Sequence, residues 1–224
     1  MNESEAISFP RNPLFRVITT WLWLIVGLLL MQTHPSFARR MLGGAFSSYF
    51  EIVMAGLIPL VFTVYDREGW SRYGLTKKGF TKSLLGAAII VAFVHCFFYW
   101  STGHWMEHRI LTSTFTLPAR IWYAVLGVFA YGPLEMFFFV WLVKNTGEIF
   151  RVERQNSFWV GLAVTTIIWG LLHIVATHRL STGLVVSVVF FLFGVIWRYT
   201  NNSIGPMIGW TLINGQVWFL VSIL

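Results

Sequence analysis

The sequence predicts an all-α, polytopic transmembrane bundle of about seven spans, and three features predict it. Apolar residues make up 56% of the chain and charged residues only 11%, a composition far from that of soluble domains. The apolar residues fall into seven runs, at 15–33, 47–65, 81–102, 119–143, 158–176, 181–198 and 204–223, each close to the roughly 20 residues that cross a hydrocarbon core. The charges gather between these runs. On this count, 11 of the 16 Lys and Arg share a face with the N-terminus, and the excess of positive charge on cytoplasmic loops then puts the N-terminus in the cytoplasm and the C-terminus outside. The expected location is the cell membrane.

The first run follows MNESEAISFPRN. This stretch has neither a basic start nor a small-residue cleavage site, so it reads as the approach to an uncleaved span. Between the second and third runs, DREGWSRYGLTKKGFTK mixes Arg67, Arg72, Lys77, Lys78 and Lys82 with Trp70, Tyr73, Leu75 and Phe80, as an interfacial segment on the basic side does. The third run holds His95, expected to bond a neighbouring helix, and Cys96, expected to be a small buried apolar residue. A single cysteine excludes a disulfide framework and a paired-cysteine zinc site. The net charge of +7 is dispersed among loops with no dense basic run, so it points to membrane topology and not to nucleic acid. No internal repeat or dividing linker breaks the chain. Residues 1–65, the N-terminal spans, and 66–224 form one integrated membrane domain.

Chemistry enters in the fourth run, where GPLEMFFFVWLVK (132–144) places Glu135 among apolar and aromatic residues. A carboxylate at bilayer depth costs at least about 2.5 kcal/mol, so such a residue faces the protein interior or a wet cavity. The fifth run ends in TTIIWGLLHIVATHR, with Trp169 one turn before His173 and with His178 near the boundary. The seventh reads NSIGPMIGWTLINGQVW, with Trp210 one turn before Asn214. Glu135, His173 and Asn214 are thus polar groups on three helices.

A carboxylate and an imidazole can share a water that attacks a carbonyl, and an amide such as that of Asn214 can donate to the developing oxyanion. The trio suffices for peptide hydrolysis without a cofactor. It serves equally as interhelical hydrogen bonding, worth about 0.6 kcal/mol per bond on average. Counting about 1.5 Å per residue puts Glu135 and Asn214 near mid-membrane and His173 several ångströms farther out. No metal is expected, because a zinc site needs three protein ligands and Glu135 with His173 supplies two. HWMEH at 104–108 fits the H-x-x-E-H pattern of inverted zinc proteases but reads as a solvated loop without a third ligand, and His34 as a loop residue. Of the 12 Trp and 21 Phe, most are belt or lipid-facing. Phe139, Trp169 and Trp210 flank the trio as candidates for a substrate groove; with Phe137, Phe138 and Trp141 they also suit core packing.

These segments resemble the CPBP family of CAAX proteases and bacteriocin-processing intramembrane proteins. That family has a Glu-Glu-x-x-x-Arg motif, a Phe-x-x-x-His motif and a His-x-x-x-Asn motif. GPLEMFFFVWL is similar to the first, WGLLH to the second with Trp169 for Phe, and WTLIN to the third with Trp210 for His; RYGLTKKGFTKSLL is similar to the basic Gly-Leu segment before the family core. The likeness spans roughly residues 66–220. In the preferred register Met136 replaces the second glutamate and Val140 the arginine; in the other, Leu134 replaces the first and Phe139 the arginine. The resemblance implies an intramembrane endopeptidase with a CAAX-protease-like core in the C-terminal two thirds. Glu135 would activate water, His173 would be its partner and Asn214 the oxyanion donor, acting on a membrane-associated or lipidated peptide. Given the departures, the alternative is a member without full catalytic competence that serves as a membrane binding, chaperone or immunity protein. A small proton-linked carrier around Glu135 lacks the broken-helix pair or inverted repeat of such carriers.

Overall fold

A computed structural model describes residues 12–33, 46–103, 117–150, 154–214 and 217. Among them no strand occurs, and the described parts of the apolar runs fall on helices, the seventh from Ile204 to Ile213. Helix α1 is Pro13–Thr33, α2 is Phe46–Glu51, and a π turn at Ile52–Gly56 leads into α3, Leu57–Tyr65. After a 3-10 turn at Trp70–Tyr73 come α4, Phe80–Thr102, and α5, Leu117–Phe129. A second π turn, Ala130–Leu134, joins α5 to α6, Glu135–Ile149. Helices α7, Arg154–Thr177, α8, Leu180–Thr200, and α9, Ile204–Ile213, follow. Five of the described helical stretches are long and apolar enough to cross a membrane; Tyr49–Tyr65 and Ile204–Ile213 are shorter.

Helix α6 is the centre of the bundle because it is apolar on every side. Each residue from Glu135 to Val143 is buried. Its rings pack outward in all directions: Trp141 stacks on Phe62 at 5.9 Å, Phe138 meets Trp21 at 6.0 Å, and Phe137 meets Tyr73 at 5.5 Å. Core packing, the reading preferred for these aromatics over a groove, holds for Phe137, Phe138 and Trp141. Helix α7 comes close because Gly161 lies against it; a Cβ there would sit 2.3 Å from the carbonyl oxygen of Val143. Such small-residue contacts let apolar helices approach backbone to backbone. Helix α4 is peripheral, and Cys96 is exposed on it. The expected burial of Cys96 is thus incorrect, because its run faces outward along most of α4. His95 Nδ1 bonds the carbonyl of Val91 within its own helix.

One end of the bundle is tied by ion pairs. Arg16 of α1, only 3% exposed, reaches Asp66 and, at 2.8 Å, Glu68. The Tyr73 hydroxyl donates to Glu68, and Arg72 bonds Glu68 at 3.0 Å and both oxygens of Glu148 at 2.7 and 2.8 Å. The segment expected as interfacial is thus anchored to α1 and α6. It is also clamped to the turn between α8 and α9. Ser203 donates its N–H to Gly74 O and its hydroxyl to Tyr73 O, while Asn202 Nδ2 donates to the carbonyls of Thr76 and Lys78. Gly79 is in the left-handed region with φ 71, and a Cβ there would lie 2.1 Å from Thr200 O, so this clamp requires glycine.

Burial raises the proton affinity of Glu68, but hydrogen bonds from Tyr73 and Arg16 and the charges of Arg72 and Arg16 outweigh it and hold the carboxyl below its usual range. Its ionised form therefore stabilises the fold above the ordinary carboxylate value of 4.5, and that stability is lost as pH falls through the lower native value. In unfolding of the purified protein, Glu68→Gln is expected to flatten this acid-side loss. Arg16→Gln takes its cationic partner from Asp66 and one of three partners from Glu68 and is expected to cost about 3–5 kcal/mol at neutral pH, read as a drop in the unfolding midpoint.

Candidate functional site

The site grows out of two interruptions in helical winding. Pro133 has no N–H to give and clashes with the preceding turn, and the chain absorbs this as the π turn Ala130–Leu134, directly before Glu135. The other π turn starts directly after Glu51. The two turns pack together, with Gly56 against Leu134; a Cβ on Gly56 would fall 2.6 Å from that side chain. Single π turns inside α-helices recur at functional sites. Each of these adjoins a glutamate. Counting back about 1.5 Å per residue from Tyr65 and Ile149, the ion-paired ends of their helices, both glutamates lie about 21 Å deep.

Helix α9 closes against the second π turn because position 132 lacks a side chain. A Cβ on Gly132 would stand 1.8 Å from Thr211 Oγ1. The contact sets Trp210 beside Glu135, and its Nε1–H donates to Glu135 Oε2 at 2.6 Å. The other oxygen, Oε1, is 3.8 Å from His173 Nε2, too far for a direct hydrogen bond and within reach of a bridging water. His173 Nδ1 lies 2.9 Å from Trp169 O. A carbonyl only accepts, so Nδ1 donates to it, and Nε2 is the ring nitrogen turned toward Glu135. The depth difference between His173 and Glu135 closes because helical side chains lean toward the helix N-terminus, which carries the imidazole back along α7.

Glu51, Glu135, His173 and Asn214 line one cavity of about 700 Å³. Its polar margin includes Thr177, Arg179, Ser181 and Thr182, where α7 ends and α8 begins. It therefore lies at the end of the bundle opposite the ion pairs. The sequence-expected trio is brought together, with differences in its contacts. Asn214 Nδ2 donates to Tyr131 O at 3.1 Å, so one of its amide protons ties α9 to the π turn. Trp169 and Trp210 line the cavity. Phe139 does not: it is fully buried, edge-on to Phe190 at 4.9 Å. Its groove assignment is corrected because Phe190, also 4.6 Å from Trp210, fills the space one turn below Glu135.

Glu51 is the residue that the sequence reading missed. It stands inside the run at 47–65, in FSSYFEIVMAGLIPLVF, and its signal, an acid within an apolar run, is the same one that marks Glu135. Among the described residues, no group of three His, Cys, Asp or Glu is placed to hold a metal ion. HWMEH at 104–108 and His34 lie outside the described residues. No family model, no curated protein and no solved structure matches this chain.

Gly132→Ala is expected to push α9 away from the π turn and cost about 1–3 kcal/mol of stability. Adding Thr211→Ala removes the nearest atom and is expected to recover part of that loss. Unfolding midpoints of the two single variants and the double variant check it, since independent sites would add.

Proposed function

We propose that this chain is an integral membrane peptidase in which Glu135, with His173, activates a water against a peptide bond of a membrane-associated or lipidated peptide. The observation that carries this reading is the 3.8 Å separation of Glu135 Oε1 and His173 Nε2 within a polar-mouthed cavity. A water between them can give a proton to one group while its oxygen attacks the carbonyl. The resemblance to the CPBP family in the contexts of Glu135, His173 and Asn214 supports the same assignment. The ion-paired, basic end is the cytoplasmic one on the charge distribution of the loops, so the cavity opens toward the outer face.

The Glu51 carboxyl lines the same cavity as Glu135. Two carboxyls that share one cavity can divide acid and base roles, one ionised and one holding a proton. Glu51 then returns a proton to the leaving amine as the C–N bond breaks, while Glu135 holds the one taken from water. The spatial pair takes the place of the adjacent glutamates of the family motif. For the oxyanion, Asn214, which lines the cavity, has a second amide proton to donate.

One observation favours the alternative of a binding, chaperone or immunity role. Trp210 occupies Glu135 Oε2 at 2.6 Å, where the family motif keeps a histidine, and no arginine stands in the motif position. Cleavage of a fluorogenic peptide library by purified protein separates the two. Glu135→Gln and His173→Ala are each expected to lower the rate by about 100-fold or more, and Glu51→Gln by about 10- to 100-fold, in line with general acid–base contributions. Equal rates in wild type and Glu135→Gln would refute the peptidase reading.

A further inference from the structure

A second recess lies at the ion-paired end, far from the glutamates. It has a volume of about 470 Å³ and opens between the 3-10 turn, the end of α6, the start of α7 and the end of α8. Three cations line it, Arg72, Lys144 and Arg198, against one acid, Glu148. That acid is already committed. Both its oxygens bond Arg72 Nη2, and Lys144 Nζ stands off at 3.7 Å. Arg198 meets no carboxylate among the described residues; its guanidinium lies over the Phe158 ring, 5.5 Å from the centroid. Lys144 and Arg198 therefore reach the recess from two different helices, the first held only loosely by Glu148 and the second with no carboxylate among the described residues. Ser71, Ser157 and Asn201 add neutral hydrogen-bonding groups.

The chemistry of this lining suits a phosphate ester. A phosphodiester offers oxygens to a planar guanidinium and to a point-charge ammonium at once, and hydroxyl and amide donors complete its shell. The location selects the source. The recess lies where α6 and α8 end and α7 begins, at the level where spans meet lipid headgroups, and Trp197 and Phe158 form its apolar wall, as aromatic residues do at that level. Basic pockets between spans on the cytoplasmic side bind anionic headgroups. We propose that this recess binds the phosphodiester headgroup of an anionic phospholipid of the inner leaflet. It is independent of the peptidase reading.

Native mass spectrometry of the purified full chain in detergent, titrated with phosphatidylglycerol or phosphatidylcholine, tests it. Phosphatidylglycerol is expected to be retained in preference. Lys144→Gln and Arg198→Gln are each expected to weaken that retention about five-fold, and the double variant about 25-fold, at roughly 1 kcal/mol per cation. Lys77→Gln, on the same face but outside the recess, is expected to leave it unchanged. Equal retention of the two lipids, or retention of phosphatidylglycerol that survives the double variant, would overturn the site. In a parallel arm, soluble glycerol 3-phosphate binding as tightly as phosphatidylglycerol would overturn the lipid assignment. Unchanged unfolding midpoints in both single variants confirm that any loss reports the site and not the fold.

Discussion

The structure depends on how a carboxyl group is kept in the middle of an apolar bundle. Glu135 is only 3% exposed, on a helix whose neighbouring residues are all buried. An unpartnered carboxylate there would cost several kcal/mol. The fold meets this with one indole donor from α9, one imidazole from α7 and a polar-mouthed cavity. Each partner in turn needs a backbone device: the Gly132 contact seats Trp210, the Trp169 carbonyl orients His173, and the Pro133 π turn aims Glu135 itself.

The bundle divides its polar groups between its two ends. At one end, long ionic side chains from α1, the segment after α3 and α6 form a closed network with short bonds, and Asn202 and Ser203 pin the segment after the 3-10 turn. At the other, polar groups among the described residues border open volume. Groups intended for chemistry need positions held by packing behind them, and α6 supplies this by running from the cavity to the ion network within one helix.

Much of this was legible in the chain. The described parts of the apolar runs are helical because length and composition decide whether a segment buries itself, and Glu135, His173 and Asn214 converge because a polar group in an apolar helix must find a partner. The exceptions are instructive. Glu51 was missed although it too is an acid inside an apolar run, because no motif marks it and only the packing of the two π turns brings it into the cavity of Glu135. Phe139 was misassigned because spacing gives the side of a helix but not what the neighbouring helix places there; Phe190 fills that space. Cys96 was misassigned because an apolar context means burial in water but not in lipid, where outward-facing apolar residues are at home.

The most direct measurement of the central claim is access to the glutamates from the end away from the ion pairs. In a Cys96→Ser background, Glu51→Cys is exposed in intact cells to a charged, membrane-impermeant methanethiosulfonate. The account predicts modification without permeabilising the cells, blocked by prior reaction with a smaller thiol reagent. Failure to react, or reaction only after the cytoplasmic face is opened, would contradict a wet cavity that reaches the carboxyls from the outer side.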